Sequence, residues 1–236
     1  MNQVTSASPR AAAAAEAETN VEEVALFPIP DLVAFPGTAI PLHVFEPRYR
    51  KMVHDCVESG RKIGVCHTVK EIRPAKKQQS KEEALNQNQA TYQPQSVFSA
   101  GPCEIKDVLD DGRIQASIDM VGRYRLIEEV QTLPYRVVRA ERLEDCDAEE
   151  DYSEQTQHIT ALLIELLGRQ GKELAKILTS DDWADQTSSE FSNRLFQYIR
   201  FDAPRMQKLL ELTSVVERLD AIERLLNGED LEDLVD

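Results

Sequence analysis

The sequence predicts an α+β protein, with a barrel-like sheet in the first part of the chain and a bundle of helices in the second. Three observations predict it. Short extended runs, broken by proline, glycine and an Asp-Gly turn, fill residues 24–143, the pattern of a closed or strongly bent sheet. Past residue 150 the apolar residues recur at spacings of three and four, with helix-capping signals. An acidic stretch at 144–151 separates the two regions. With 236 residues, 42% hydrophobic and 29% charged, the chain can bury a core without disulfide staples. The expected organisation is a disordered leader over 1–22, a β-rich subdomain over 24–145, a helical subdomain over 150–228 and an acidic tail over 229–236.

The leader is Ala, Ser, Glu, Thr and Asn with almost nothing to bury. Residues 24–27 (Val-Ala-Leu-Phe) start the first strand. Pro28, Pro30, Pro36 and Pro41 follow closely, and because proline has no backbone donor they exclude a central strand there. Residues 35–38 read as a turn and 40–45 as a second extended piece. Pro47 then opens a helix whose Tyr49, Met52, Val53, Cys56 and Val57 form one apolar stripe, stopped by Gly60. A strand is expected over 63–69. The polar run 73–95 reads as a mobile surface loop. Strands are expected again over 96–109 and 113–119, joined at Asp111-Gly112, and over 124–130 and 135–143. Alternation in the last of these is imperfect, which leaves its facing open.

In the second region, Ile159, Leu162, Leu163, Leu166 and Leu167 mark a helix ending at Gly168, and Leu174, Ile177 and Leu178 a short one. Thr187 with Glu190, and Ser214 with Glu217, are capping-box pairs. The first precedes the stripe Phe191, Leu195, Tyr198, Ile199, and the second precedes Leu219, Ile222, Leu225, Leu226. Pro204 opens a helix between them, carrying Met206, Leu209 and Leu210.

Charge limits the function. Forty-two acids against 27 bases give a net charge of −15. Residues 24–140 are near neutral with 16 bases and 14 acids, whereas residues 141–236 hold 24 acids and 10 bases. Such a surface repels phosphate backbones, so the charge argues against nucleic acid as a partner. No run of about 20 apolar residues suggests a membrane helix, no signal peptide is legible, and four cysteines are too few for a disulfide scaffold. The expectation is a soluble cytoplasmic protein.

No motif for catalysis stands out. Around Gly171-Lys172 a phosphate loop lacks its first glycine, since Leu166 stands there, and its hydroxyl, since Glu173 follows the lysine. Cys66-His67, with Cys56 and His54 nearby, lacks the close ligand pairs of a zinc site. Neighbours in a strand also face opposite ways. Gly-x-Ser-x-Gly is absent, and a serine–lysine pair has no fixed spacing to read. The basic groups Arg48, Arg50, Lys51 and Arg123-Tyr124-Arg125 are the anion-binding candidates, with solvated or ion-paired roles as the simpler reading.

Ordered segments say more. Leu26-Phe27-Pro28-Ile29-Pro30 precedes Leu32-Val33-Ala34-Phe35-Pro36-Gly37, and then comes Ile40-Pro41-Leu42-His43-Val44-Phe45-Glu46-Pro47-Arg48-Tyr49. Gly101 to Ile105, Asp111-Gly112-Arg113, Gly122 to Leu126, 207–211 and 216–219 follow in order. Over about residues 24–226 this resembles the N-terminal, substrate-binding domain of the Lon protease family, with Phe45 to Tyr49 the most specific part. The resemblance implies a six-stranded, PUA-like pseudo-barrel followed by a C-terminal helical bundle. It also implies a stand-alone recognition domain without ATPase or protease modules, non-enzymatic and without cofactor or metal. Its partners would be unfolded or misfolded polypeptides, with a separate protease or chaperone, in protein quality control.

A binder of unfolded chains needs exposed apolar surface. Phe27, Phe35 and Phe45 in the proline-rich opening are the polypeptide-binding candidates, each weighed against a simple core role. The alternative function is an RNA-binding module by analogy with the PUA-like fold, using Arg48, Arg50, Arg123 or Arg125. A hydrolase on an unrecognised constellation, with Cys66 and His67 as its obvious candidates, is a third reading.

Overall fold

The computed structural model describes residues 20–74, 83, 87–168 and 171–231. The strands are β1 (Val21–Pro28), β2 (Ala39–Val44), β3 (Ile63–Cys66), β4 (Thr68–Arg73), β5 (Thr91–Pro94), β6 (Val97–Gly101), β7 (Cys103–Val108), β8 (Ile114–Asp119), β9 (Gly122–Gln131) and β10 (Arg136–Leu143). Helix α1 (Pro47–Ser59) lies between β2 and β3. The second region holds α2 (Ser153–Leu167), α3 (Gly171–Leu178), α4 (Asp181–Ala184), α5 (Ser188–Arg194), a 3₁₀ turn (Leu195–Gln197), α6 (Ala203–Glu211) and α7 (Val215–Leu226). This is the α+β arrangement expected, strands before helices. Among the described residues, no helix is long and apolar enough to cross a membrane.

β1, β10, β9, β6 and β3 close into a barrel in that order, so five strands form the closed part. β1 closes it, antiparallel to β10 on one side and parallel to β3 on the other. It begins at Val21, inside the expected leader, because Val21 and Glu22 pair with Glu141 and Ala140. The three-stranded sheet β2-β8-β7 and the ribbon β4-β5 lie outside the closure. Pro41 is tolerated because β2 is an edge strand, bonded only to β8.

Two expected strands are each split. The 63–69 run breaks at His67. β1 leaves the barrel ladder after Pro28 pairs with Cys66, so the chain beyond has no barrel partner and pairs β5 instead. Residues 91–94 of the expected loop are therefore strand, while 75–82 and 84–86 lie outside the described residues. The 96–109 run breaks at Pro102, between a barrel strand and an outer-sheet strand. Gly101 is required at this crossing, because a Cβ there would stand 1.7 Å from the Asp119 carbonyl oxygen.

β10 also settles its facing. Val138 and Ala140 join Val24, Leu26, Phe98 and Tyr124 inside the barrel. Val137 joins the layer between barrel, α1 and outer sheet. Both faces are covered, and register shifts after Val137 and Arg139 allow adjacent valines to be buried. α1 packs Tyr49, Met52, Val53 and Cys56 into that outer layer and stops at Gly60, whose φ is 74°.

The acidic linker is a joint rather than a spacer. Asp145 pairs with Arg123 of β9 and Arg218 of α7. Asp147 accepts from the Val215 and Val216 amides at 2.6 and 3.2 Å, and so caps α7. Ser214 accepts from the Glu217 amide at 3.3 Å, while the Thr187–Glu190 box closes in both directions on α5. Phe35, between β1 and β2, is 1% exposed and inserts into the helical core against Phe196, ring centroids 4.1 Å apart. Leu231, within the expected tail, is buried in the same core; residues 232–236 and 1–19 lie outside the described residues.

Candidate binding groove

Glu46 and Arg48 build one wall of a groove along the barrel. Pro47 fixes the start of α1 and leaves the two side chains beside each other at 2.9 Å, both nearly buried. Glu46 Oε2 also accepts from the Gln89 amide at 2.9 Å. Arg48 Nη2 donates to the Ala90 carbonyl at 2.6 Å, and its guanidinium lies 4.5 Å from the Tyr49 ring centroid. These bonds strap residues 88–91 against the start of α1 and bring Tyr92 beside Tyr49.

Two cavities meet there. One, about 610 Å³, runs from Tyr92 and Arg73 to the β9–β10 turn at Leu133 and Arg136. The other, about 310 Å³, lies between Phe27, Pro30, Leu42 and Phe45. Pro28, Arg48, Tyr49, Gln89 and Tyr92 line both, so the two cavities adjoin along the barrel. Phe27 packs against Tyr49 with ring centroids 4.1 Å apart and the rings tilted by 33°. Burial pushes the Tyr49 hydroxyl up to about 12, so it stays a neutral donor at physiological pH. Phe45 is 36% exposed at one end and Leu133 78% exposed at the other. The groove thus offers an aromatic floor, neutral hydrogen-bonding groups and arginines at its margin. That arrangement suits an apolar chain segment with an unpaired backbone.

Of the three phenylalanines expected to bind polypeptide, the fold brings Phe27 and Phe45 into this groove. Phe35 is a correction: its ring is spent joining barrel to bundle and has no surface to offer. Tyr92 and Leu133 were missed by sequence reasoning. Tyr92 sits in a polar run and Leu133 in a turn, so neither stands on a periodic apolar stripe.

The anion-binding candidates are largely occupied. Arg123 is 3% exposed and held by Asp145 and the Leu210 carbonyl; burial and neighbouring Arg218 lower its pKa. Arg48 is engaged as above, and Lys51 pairs with Asp55 one turn on. Arg50 Nη1 donates to the Gly112 carbonyl, and Arg125 is exposed on β9. Cys66 is buried and burial pushes its thiol up to about 12, which leaves no thiolate at neutral pH. His67 Nδ1 instead accepts from the Asp31 amide at 3.1 Å. Among the described residues, no three His, Cys, Asp or Glu side chains group to hold a metal ion.

Comparison with known proteins bears on the family and the fold. Residues 23–228 match the family described as the ATP-dependent protease La (LON) substrate-binding domain. The chain is 24% identical over 217 residues to Lon protease 1 of Herpetosiphon aurantiacus, a match covering 84% of this chain and 24% of the relative, so it spans about a quarter of that protein's length. Two solved structures share the fold. A Lon N-terminal domain protein from Xanthomonas campestris is 21% identical with a TM-score of 0.59, covering 89% of this chain and 99% of its own. The N-terminal domain of a Mycobacterium avium complex Lon protease is 17% identical with a TM-score of 0.60, covering 89% and 100%. The match over nearly the whole described chain, with the fold, shows that this chain belongs to the Lon substrate-binding domain family.

Proposed function

We propose that the groove of Phe27, Tyr49, Tyr92, Phe45 and Leu133 receives apolar segments of unfolded or misfolded polypeptides, making the chain a non-catalytic recognition domain in cytoplasmic protein quality control. One observation carries the reading: two adjoining cavities lined by Phe27, Tyr49 and Tyr92 carry the exposed apolar side chains Phe45 and Leu133, on a fold from a substrate-binding family. Burying apolar side chains there is worth about 25 cal/mol per Å², and the interaction tolerates salt. A protease or chaperone acting on the captured chain is the partner this role requires.

The test is fluorescence anisotropy of a labelled unfolded, apolar-rich polypeptide, its folded counterpart and a short single-stranded RNA, at low and moderate salt. Saturable binding of the unfolded chain alone, surviving salt, is expected. Phe45→Asp with Leu133→Asp should weaken it about tenfold with an unchanged melting temperature. Unchanged affinity in that double variant moves the site elsewhere. RNA binding that collapses with salt, without preference for the unfolded chain, replaces this reading with the nucleic-acid one.

A further inference from the structure

Another cavity, about 700 Å³, opens in the helical region between the linker, α2 and the α4–α5 corner. Its floor is apolar: Ile164, Leu178, Trp183 and Phe191. Its rim is acidic, with the consecutive and exposed Glu149, Glu150 and Asp151. Among the described residues, no lysine, arginine or histidine lines it and no ion pair uses Glu149, Glu150 or Asp151, although Asp151 Oδ1 accepts from the Ser153 amide at 2.9 Å. Gln186, on the wall, donates through Nε2 to the Asp182 carbonyl at 2.9 Å, while its Oε1 is buried without a partner. The cavity therefore combines an apolar lining with a rim of negative charge. It lies in the half of the chain with 24 acids against 10 bases.

We propose that this cavity docks a cationic amphipathic segment of a partner protein. Aliphatic side chains of the segment would meet the Trp183–Phe191 floor, and its lysine or arginine side chains would face Glu149, Glu150 and Asp151. Charge sets this site apart from the barrel groove. Arg48, Arg73 and Arg136 border that groove, the first and last paired with Glu46 and Glu129, whereas the charged residues lining this cavity are Glu149, Glu150 and Asp151, so a cationic segment is favoured here. The linker at the rim also carries Asp145 and Asp147, which hold α7, so a docked partner would sit on the joint between barrel and bundle.

Trp183 is the one tryptophan of the sequence, so its fluorescence reports directly on the cavity. The test titrates the full chain with a labelled peptide of leucine and lysine at helical spacing, and with its counterpart carrying glutamate for lysine. Both Trp183 emission and peptide anisotropy are followed. Saturable binding of the cationic peptide alone is expected, with a Trp183 emission change and weakening as salt rises. Glu149→Lys with Glu150→Lys, both on the exposed rim, should weaken it about tenfold. The Phe45→Asp, Leu133→Asp variant should bind it normally, so this proposal and the barrel-groove reading fail independently. Absence of saturable binding overturns the proposal. So does equal binding of the acidic peptide, unchanged affinity in the rim variant, or loss of binding in the barrel-groove variant.

Discussion

Arg218 grips Asp145 with two nitrogens, Nη1 to Oδ1 at 3.0 Å and Nη2 to Oδ2 at 2.6 Å, and its side chain has no exposed surface. The same carboxylate meets Arg123 of the barrel and accepts from Ser189 Oγ at 2.6 Å. One linker residue thus ties a barrel strand to two helices of the bundle. The surplus positive charge is met by the Leu210 and Leu212 carbonyls.

Asp145→Asn keeps the shape but removes the charge between two buried guanidinium groups. Loss of one partner of a buried pair costs about 3–5 kcal/mol. The expected result is a large fall in the urea midpoint of the whole chain, since barrel and bundle share the joint. A loss below about 1 kcal/mol would show that the cluster behaves like a surface pair.

Glu46 acts locally by contrast. Its carboxylate accepts from the Gln89 amide, and Glu46→Ala removes that hydrogen bond. Hydrogen exchange at Gln89 should accelerate while amides of β1 and β10 stay protected. Affinity for an unfolded polypeptide should fall with it, because the strap that holds Tyr92 in the groove is loosened. Faster exchange with unchanged affinity would separate the strap from binding.

Two glycines give unequal expectations for one substitution, for different reasons. Gly101→Ala drives a Cβ into the Asp119 carbonyl at the point where the chain passes from barrel to outer sheet. The backbone must move, and a loss of about 3 kcal/mol or more is expected. Gly60→Ala meets nothing within 4 Å, but its φ of 74° is left-handed. About 1 kcal/mol is expected there. Paired thermal melts rank the two.

Much of the architecture was legible because local signals agreed with the fold. The Tyr49–Cys56 stripe, Gly60, Asp111-Gly112 and the Thr187–Glu190 box mark elements that form where expected. What was not legible depends on distant contacts. Nothing near Asp145 or Asp147 distinguishes them from the other acids of the linker, since their partners in α7 lie about 70 residues on. Phe27, Phe35 and Phe45 look alike in sequence, all beside prolines or short apolar runs. Only the insertion of Phe35 against Phe196 separates core from groove. The break at His67 was hidden because it arises from the partner strand leaving, not from His67 itself.

The cysteines give a direct check on burial. Cys56 and Cys66 are buried and Cys103 half-buried, and burial pushes their thiols up to about 12, 12 and 11. Cys146 is exposed on the linker. One of the four thiols should react promptly with a thiol reagent at pH 8, and all four after denaturation. Prompt reaction of Cys66 in the native chain would contradict the closed barrel.

Acid should open the joint first. Burial acts to raise the pKa of Asp147, but hydrogen bonds from the Val215 amide, the Ser214 hydroxyl, the Val216 amide and Tyr152 outweigh it and hold the carboxyl at about 2. Asp145 is lowered in the same direction; burial raises it, and Arg218 and Arg123 more than compensate. A carboxyl depressed on folding binds fewer protons in the native state, so its stabilisation is complete above the unfolded value of about 3.9. That stabilisation is lost as pH falls through the folded value. For Asp147 the window therefore lies between about 4 and about 2. Stability by urea unfolding should be flat from pH 7 to 5 in this respect and fall steeply below about 4. Asp147→Ala should remove part of that acid slope and cost about 1 kcal/mol at neutral pH through the lost cap of α7. An unchanged acid slope in Asp147→Ala, with Asp145 intact, would assign the whole effect to the Asp145–Arg218 pair.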